Sequence, residues 1–246
     1  MLRRISAWLI AVVLWASLVD AAPTVSAGTP YTASPGVISE SGSYTNAAGS
    51  NRVMLLAIAC RDSSDTVADP TSVKYAGNAM TQVVTTGAYN ASTLQVWLYQ
   101  QINPASGANN WSVDWPDACN QSLIVPMTLL DTNQTTPYSN TNSSTGTGSP
   151  SVACTSASGE LVVDMTMLND GGHTITVGAG QTQLSNDSVG GGNLLGGTSY
   201  EAGAASVTMS WTLSAGTDPS GIVCASFKPF VASTAVQNLL LMGVGN

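Results

Sequence analysis

Charge is scarce in this chain: Asp, Glu, Lys and Arg together make up 8 % of its 246 residues. It has two lysines, Lys74 and Lys228, and a single histidine, His173. Helix surfaces draw on Lys, Glu and Arg for propensity and solubility, so this scarcity argues against a helical protein. The net charge of −8 leaves no basic footprint. A nucleic-acid partner is therefore not expected, because binding one requires cations that displace counterions from phosphates. Catalytic signatures are missing too. There is no Gly-x-Ser-x-Gly elbow, and the one histidine lies in a Gly171-Gly172 turn, where it reads as incidental. Gly190, Gly191 and Gly192 form a turn rather than a phosphate loop opening a helix. No Cys-x-x-Cys or Cys/His spacing suits zinc.

What is abundant is Ser, Thr, Asn and Gly, with 43 % apolar residues among them. Thr favours the pleated surface, while Gly, Asn and Ser close turns, so the mixture suits many short strands. The first residues read as a secretory signal peptide, 1–21. Arg3 and Arg4 form its basic end, Ile5 to Leu18 its apolar stretch, and cleavage is expected after Ala21. The apolar run falls short of the roughly 20 residues a spanning helix needs, so no stable membrane span is expected once it is removed. A Gly/Ser/Thr-rich lead-in at 22–50, with at most one edge strand around Pro35 to Ser39, precedes a β domain at 51–230. An apolar tail, 231–246, follows.

The strand signals are regular. Arg52 to Cys60 is apolar on both faces, as in a central strand covered on both sides. Val73-Lys74-Tyr75 and Met80 to Thr85 flank a Gly77-Asn78 turn. Leu94, Val96 and Leu98 alternate with Gln95, Trp97 and Tyr99, and Val207, Met209 and Trp211 alternate with Thr208 and Ser210. Ser122 to Leu130 is a further apolar strand in which Pro126 marks a bulge or an edge. Asp131 to Ser149 is polar throughout and reads as a long loop dividing the sandwich. Such a series, without helical period, describes an all-β sandwich or barrel. There are signs of two related halves. Trp111-Ser112-Val113-Asp114-Trp115 and Val207-Thr208-Met209-Ser210-Trp211 lie 96 positions apart, and Ser122 and Ser220 open similar strands 98 apart.

A resemblance joins these signs. Asn51-Arg52-Val53 opens an apolar strand. Val73-Lys74-Tyr75-Ala76-Gly77, Met80-Thr81, Leu94-Gln95-Val96-Trp97, Pro104-Ala105-Ser106-Gly107 and the Asp131 to Pro137 segment follow in order. In this the chain resembles, over Ser50 to Phe230, an uncharacterised β-sandwich domain of exported bacterial proteins and some phage structural proteins. The resemblance implies a jelly-roll-like antiparallel sandwich and extracellular, cell-surface or virion use, and it carries no catalytic residues.

Four cysteines, Cys60, Cys119, Cys154 and Cys224, suggest two disulfides in an exported chain. The count leaves three connectivities open, and strand ends favour Cys60 with Cys119 and Cys154 with Cys224. Clustered aspartates, Asp62, Asp65 and Asp69 on one stretch with Asp114 and Asp117 on another, are the candidate calcium ligands, since hard cations need grouped oxygens. No other cofactor is expected. Trp97, Tyr99 and Gln95 share a face and have the chemistry to stack and hydrogen-bond a glycan. Asp164 and Glu201 are the strand-borne acids a glycosidase would use. Leu239, Leu240, Leu241 and Met242 form an apolar segment suited to docking on a neighbouring copy by strand addition. The expectation is a non-catalytic structural or adhesive module that forms homo-oligomers or a lattice. The alternatives are a carbohydrate-binding module and a glycan-cleaving enzyme.

Overall fold

The computed structural model describes residues 21–34, 36–62, 66–91, 93–169, 172–191 and 193–231. The signal-peptide residues before Ala21 and the tail from 232 on, Leu239 to Met242 included, lie outside the described residues.

The described chain is built of antiparallel strands in two consecutive halves. The first half comprises β1 (Thr24–Ala27), β2 (Tyr31–Ala33), β3 (Val37–Asn46), β4 (Val53–Arg61), β5 (Ser72–Tyr75), β6 (Asn78–Ala79), β7 (Thr81–Thr85), β8 (Leu94–Ile102), β9 (Gly107–Cys119) and β10 (Gln121–Leu130). The second comprises β11 (Tyr138–Thr147), β12 (Ser151–Thr155), β13 (Leu161–Asn169), β14 (Ile175–Val177), β15 (Thr182–Val189), β16 (Leu194–Ala202), β17 (Ser206–Leu213) and β18 (Pro219–Phe227).

Each half folds the same way. Its main sheet runs β1-β10-β4-β8-β7 in the first half, with β2 also on β10, and β11-β18-β13-β16-β15 in the second. Its small sheet runs β3-β9-β5-β6 in the first and β12-β17-β14 in the second. Wound in this order, each half is a jelly roll. The correspondence extends to register. Thr81 faces Gln100 as Thr182 faces Tyr200, and a bulge interrupts both pairs at the next step, after Gln82 and after Gln183. Ser122 faces Cys60 as Ser220 faces Leu168. The expectation of related halves thus becomes two jelly rolls, not one sandwich cut in two.

The two main sheets stack face to face. Val53, Leu55, Ala57 and Ala59 of β4 share a buried cluster with Leu161, Val163, Met165 and Met167 of β13. The other face of β4, Met54, Leu56 and Ile58, packs on Tyr75, Trp111 and Val113 of the small sheet. In the second half Val162 and Leu168 pack on Val152, Met209 and Trp211. The order of layers is small, main, main, small. This is why β4 reads as apolar on both faces: a sheet covered on both sides favours apolar residues on each, and a polar residue there needs a hydrogen-bond partner. Each fully buried aliphatic side chain contributes about 1.5–3 kcal/mol, so the inter-sheet layer is a principal source of stability.

Three expectations are corrected here. The lead-in at 22–50 holds three strands where at most one was expected: β3 begins within the stretch around Pro35 to Ser39, and β1 and β2 join it in the first jelly roll. The polar stretch 131–149 is not a loop throughout: Tyr138–Thr147 is the edge strand β11, paired along β18. Its side chains are largely exposed, so burial imposes no apolar alternation on it. Pro126 occupies an unbulged position opposite Leu56 in an interior strand. Proline's missing N–H is tolerated there because Pro126 lies opposite the break between β1 and β2, where Gly28 donates its N–H to the Pro126 carbonyl at 2.8 Å.

Candidate functional site

The disulfide end of the first half is where most of the sequence candidates meet. Cys60 ends the apolar run of β4 and Cys119 closes β9, and they are bonded, stapling main sheet to small sheet. Beside them a cavity lined by Asp62, Thr66, Trp115 and Asp117 measures about 10 Å³. That volume holds one water and no organic ligand. Asp62 is buried and accepts a hydrogen bond from Asn120 Nδ2 at 2.8 Å. Asp69 Oδ1 accepts two, from Trp97 Nε1 and Gln95 Nε2, both at 2.8 Å. An oxygen facing two N–H donors is poorly placed to ligate a cation, and Asp65 lies outside the described residues. Among the described residues no group of three or more His, Cys, Asp or Glu side chains is disposed to hold a metal.

The aromatic face of β8 is not a stacking platform. Trp97 is 0 % and Tyr99 7 % exposed. Trp97 packs against Trp115 with ring centroids 5.6 Å apart, and the Tyr99 hydroxyl donates to Gln82 at 3.1 Å. Gln95 is buried as well and ties Asp69 to Thr85. Alternation places these residues on one face, but that face is covered by the small sheet. The glycan contact expected of Trp97, Tyr99 and Gln95 is corrected accordingly.

In the second half Cys154 and Cys224 are free, buried thiols. They interact directly, from β12 in the small sheet and β18 in the main sheet, and Cys154 together with burial pushes the Cys224 thiol up. The expected second disulfide is therefore absent. His173 Nδ1 pairs with Asp218 Oδ2 at 2.8 Å, joining the turn before β14 to the one after β17.

Of the acids the fold buries, the sequence had singled out Asp62 and Asp164; Glu40 and Glu160 were missed. Glu40 on β3 is 2 % exposed, and both its carboxylate oxygens lie 2.8 Å from the Ser122 hydroxyl on β10. Burial, against the lowering effect of that hydrogen bond, pushes its carboxyl to about 7. Glu160 accepts from Ser139 Oγ at 2.8 Å, Ser226 Oγ at 2.6 Å and the Ala157 N–H at 3.1 Å. Asp164 on β13 is completely buried, and burial raises it to about 7 although Trp211 and Ser199 donate to it. The suggested acid pair is split: Asp164 is sealed in the core while Glu201 is partly exposed. Partners some 80 residues apart, such as Glu40 and Ser122, leave no local spacing to find. The one available signal was an acid inside a largely apolar run, as at Asp164 in Leu161 to Leu168, which it shares with one other polar residue, Thr166. Among the described residues no helix is long and apolar enough to cross a membrane. No family model, curated protein or solved structure matches the chain.

Proposed function

We propose that the chain is a non-catalytic structural or adhesive module of an extracellular assembly, cell surface or virion, and that copies of it associate edge to edge. The observation that carries this reading is strand β11. It is the outer strand of its main sheet, ten residues long, and exposes Asn140, Thr141, Asn142, Ser143, Thr145 and Thr147. Edge strands are ordinarily protected from pairing with other chains by lysines, prolines, inward charges or bulges; β11 has no lysine, proline or charge, and its one register shift lies at its start, between Tyr138 and Asn140. The edge strand β3 of the first small sheet adds exposed apolar surface, with Ile38 64 % exposed. The Cys60–Cys119 bond favours an oxidising compartment.

The test is sedimentation velocity over a concentration series, with electron microscopy of the purified exported protein. Assemblies larger than one chain are expected, and Thr141→Lys combined with Ser143→Lys should shift them toward single chains. A wild-type chain that stays monomeric at every concentration overturns the reading. Glycan-array binding would then direct attention to a carbohydrate-binding module, and release of reducing sugar to a glycan-cleaving enzyme.

A further inference from the structure

We propose that Gln181 and Ser199 react to form an internal ester cross-link, with Asp164 as the proton carrier and ammonia as the leaving group. Ser199 lies on β16, Asp164 beside it on β13, and Gln181 immediately before β15. The Ser199 hydroxyl donates to Asp164 Oδ1 at 2.8 Å, and the Ser199 backbone N–H donates to the same oxygen at 2.6 Å. Gln181 Nε2 donates to Ser199 Oγ at 2.6 Å and lies 3.5 Å from Asp164 Oδ2. The other end of the amide, Oε1, accepts the Ser210 backbone N–H at 2.8 Å. A backbone N–H only donates, so this contact fixes which end of the amide is oxygen. Trp211 Nε1 holds Asp164 Oδ2 at 2.8 Å.

The parts correspond to an acyl transfer. Turning the Gln181 amide about Cγ–Cδ leaves Cδ in place and brings its π face, instead of the N–H edge, toward Ser199 Oγ. Oγ attacks Cδ while its proton passes to Asp164, and charge develops on Oε1, which the same turn has moved off its resting contact with the Ser210 N–H. The Cδ–Nε2 bond then breaks, Asp164 returns the proton to nitrogen, and ammonia leaves. A hydroxyl and a carboxamide become an ester and ammonia, with no oxidant, reductant or water consumed. Burial raises Asp164 to about 7, which suits a group that must accept and return a proton near neutrality. Ser199 and Asp164 are each 0 % exposed, which keeps hydrolytic water from the ester. Gln181 is only partly buried, which gives ammonia a way out.

The duplicated fold shows that none of this polarity is needed for the architecture. By register the first-half counterparts of Asp164 and Ser199 are Leu56 and Tyr99, and Met80 precedes β7 as Gln181 precedes β15. All three are buried and the jelly roll closes around them. A buried carboxyl is costly to maintain, and at this position of the jelly roll only the second half carries one. A Cβ at Gly178 would press on Ser210 Oγ and stand 2.6 Å from Gln181 Oε1, so glycine there admits both Ser210 and the amide. The bond would lock the edge strand β15 onto β16.

Mass spectrometry of the purified exported protein, incubated at neutral pH until its mass is constant, tests this. The intact chain should weigh one ammonia less than its sequence with one disulfide, a loss of about 17 Da. Peptide mapping should recover residues 181 and 199 in one branched peptide that hydroxylamine separates. Ser199→Ala, Gln181→Glu and Asp164→Asn should each lose the branched peptide. The decisive readout is the wild-type map, so a variant that fails to fold does not affect it. Separate linear peptides carrying Gln181 and Ser199, or an ammonia loss located elsewhere in the chain, overturn the proposal.

Discussion

Replacing Glu40 with glutamine should change how the stability of this protein depends on pH. The folded Glu40 carboxyl is raised from 4.5 to about 7, principally by burial. Below pH 4.5 both folded and unfolded chains hold the proton, and the group contributes no difference. Between 4.5 and about 7 the unfolded chain has released it and the folded chain has not, so stability falls as pH rises. Above that the buried carboxylate is ionised and its full cost remains. A shift of that size at 1.36 kcal/mol per unit amounts to about 3 kcal/mol, or roughly 6–12 °C in melting temperature for a chain of this length. Glu40→Gln keeps an oxygen for Ser122 and removes the titration. Urea titrations from pH 4.5 to pH 8 should show the wild type losing about 3 kcal/mol more than Glu40→Gln, with the variant the more stable at pH 8. Parallel profiles, or a wild type that gains on the variant as pH rises, would refute the reasoning.

Three further outcomes follow from the packing and the cysteines. Alkylation of the denatured, unreduced chain should label two thiols, Cys154 and Cys224, while substituting serine at both Cys60 and Cys119 should lower stability by about 4 kcal/mol, the chain-entropy value for a 59-residue loop. Met165→Ala, between the two main sheets, should cost about 2–5 kcal/mol in equilibrium unfolding, and a cost below 1 kcal/mol would mean that the sheets are not tightly stacked.

Much of this architecture was legible in the residues, and the parts that were not share a cause. Strands that bury a face announce themselves: β4 by apolar residues on both faces, β8, β9 and β17 by alternation. The duplication showed through the Trp115 and Trp211 segments and through Ser122 and Ser220, because equivalent strands meet equivalent neighbours. Cys60 and Cys119 were pairable because each lies at the end of a recognisable strand. Strands β1, β2 and β11 carried no such mark, and of β3 only the start, around Pro35 to Ser39, was expected. They lie at sheet edges, where exposed side chains leave composition free, and only their hydrogen bonds to β10, β9 and β18 make them strands.

The sequence by itself determined that this is an all-β chain of two similar halves, since alternation and turn residues are local properties. Tertiary structure alone decided which faces are covered. Period-two alternation assigns Trp97 and Tyr99 to one face of β8 but is silent on whether a second sheet lies over it. Stacking the two main sheets, each already backed by a small one, buried both faces and removed the glycan platform. The same stacking left the polar edge β11 exposed. Tertiary structure also gathered Asp164, Gln181, Ser199 and Ser210 from four separate segments into one cluster. Contacts between strands distant in sequence depend on sheet order and register, which no spacing along the chain records.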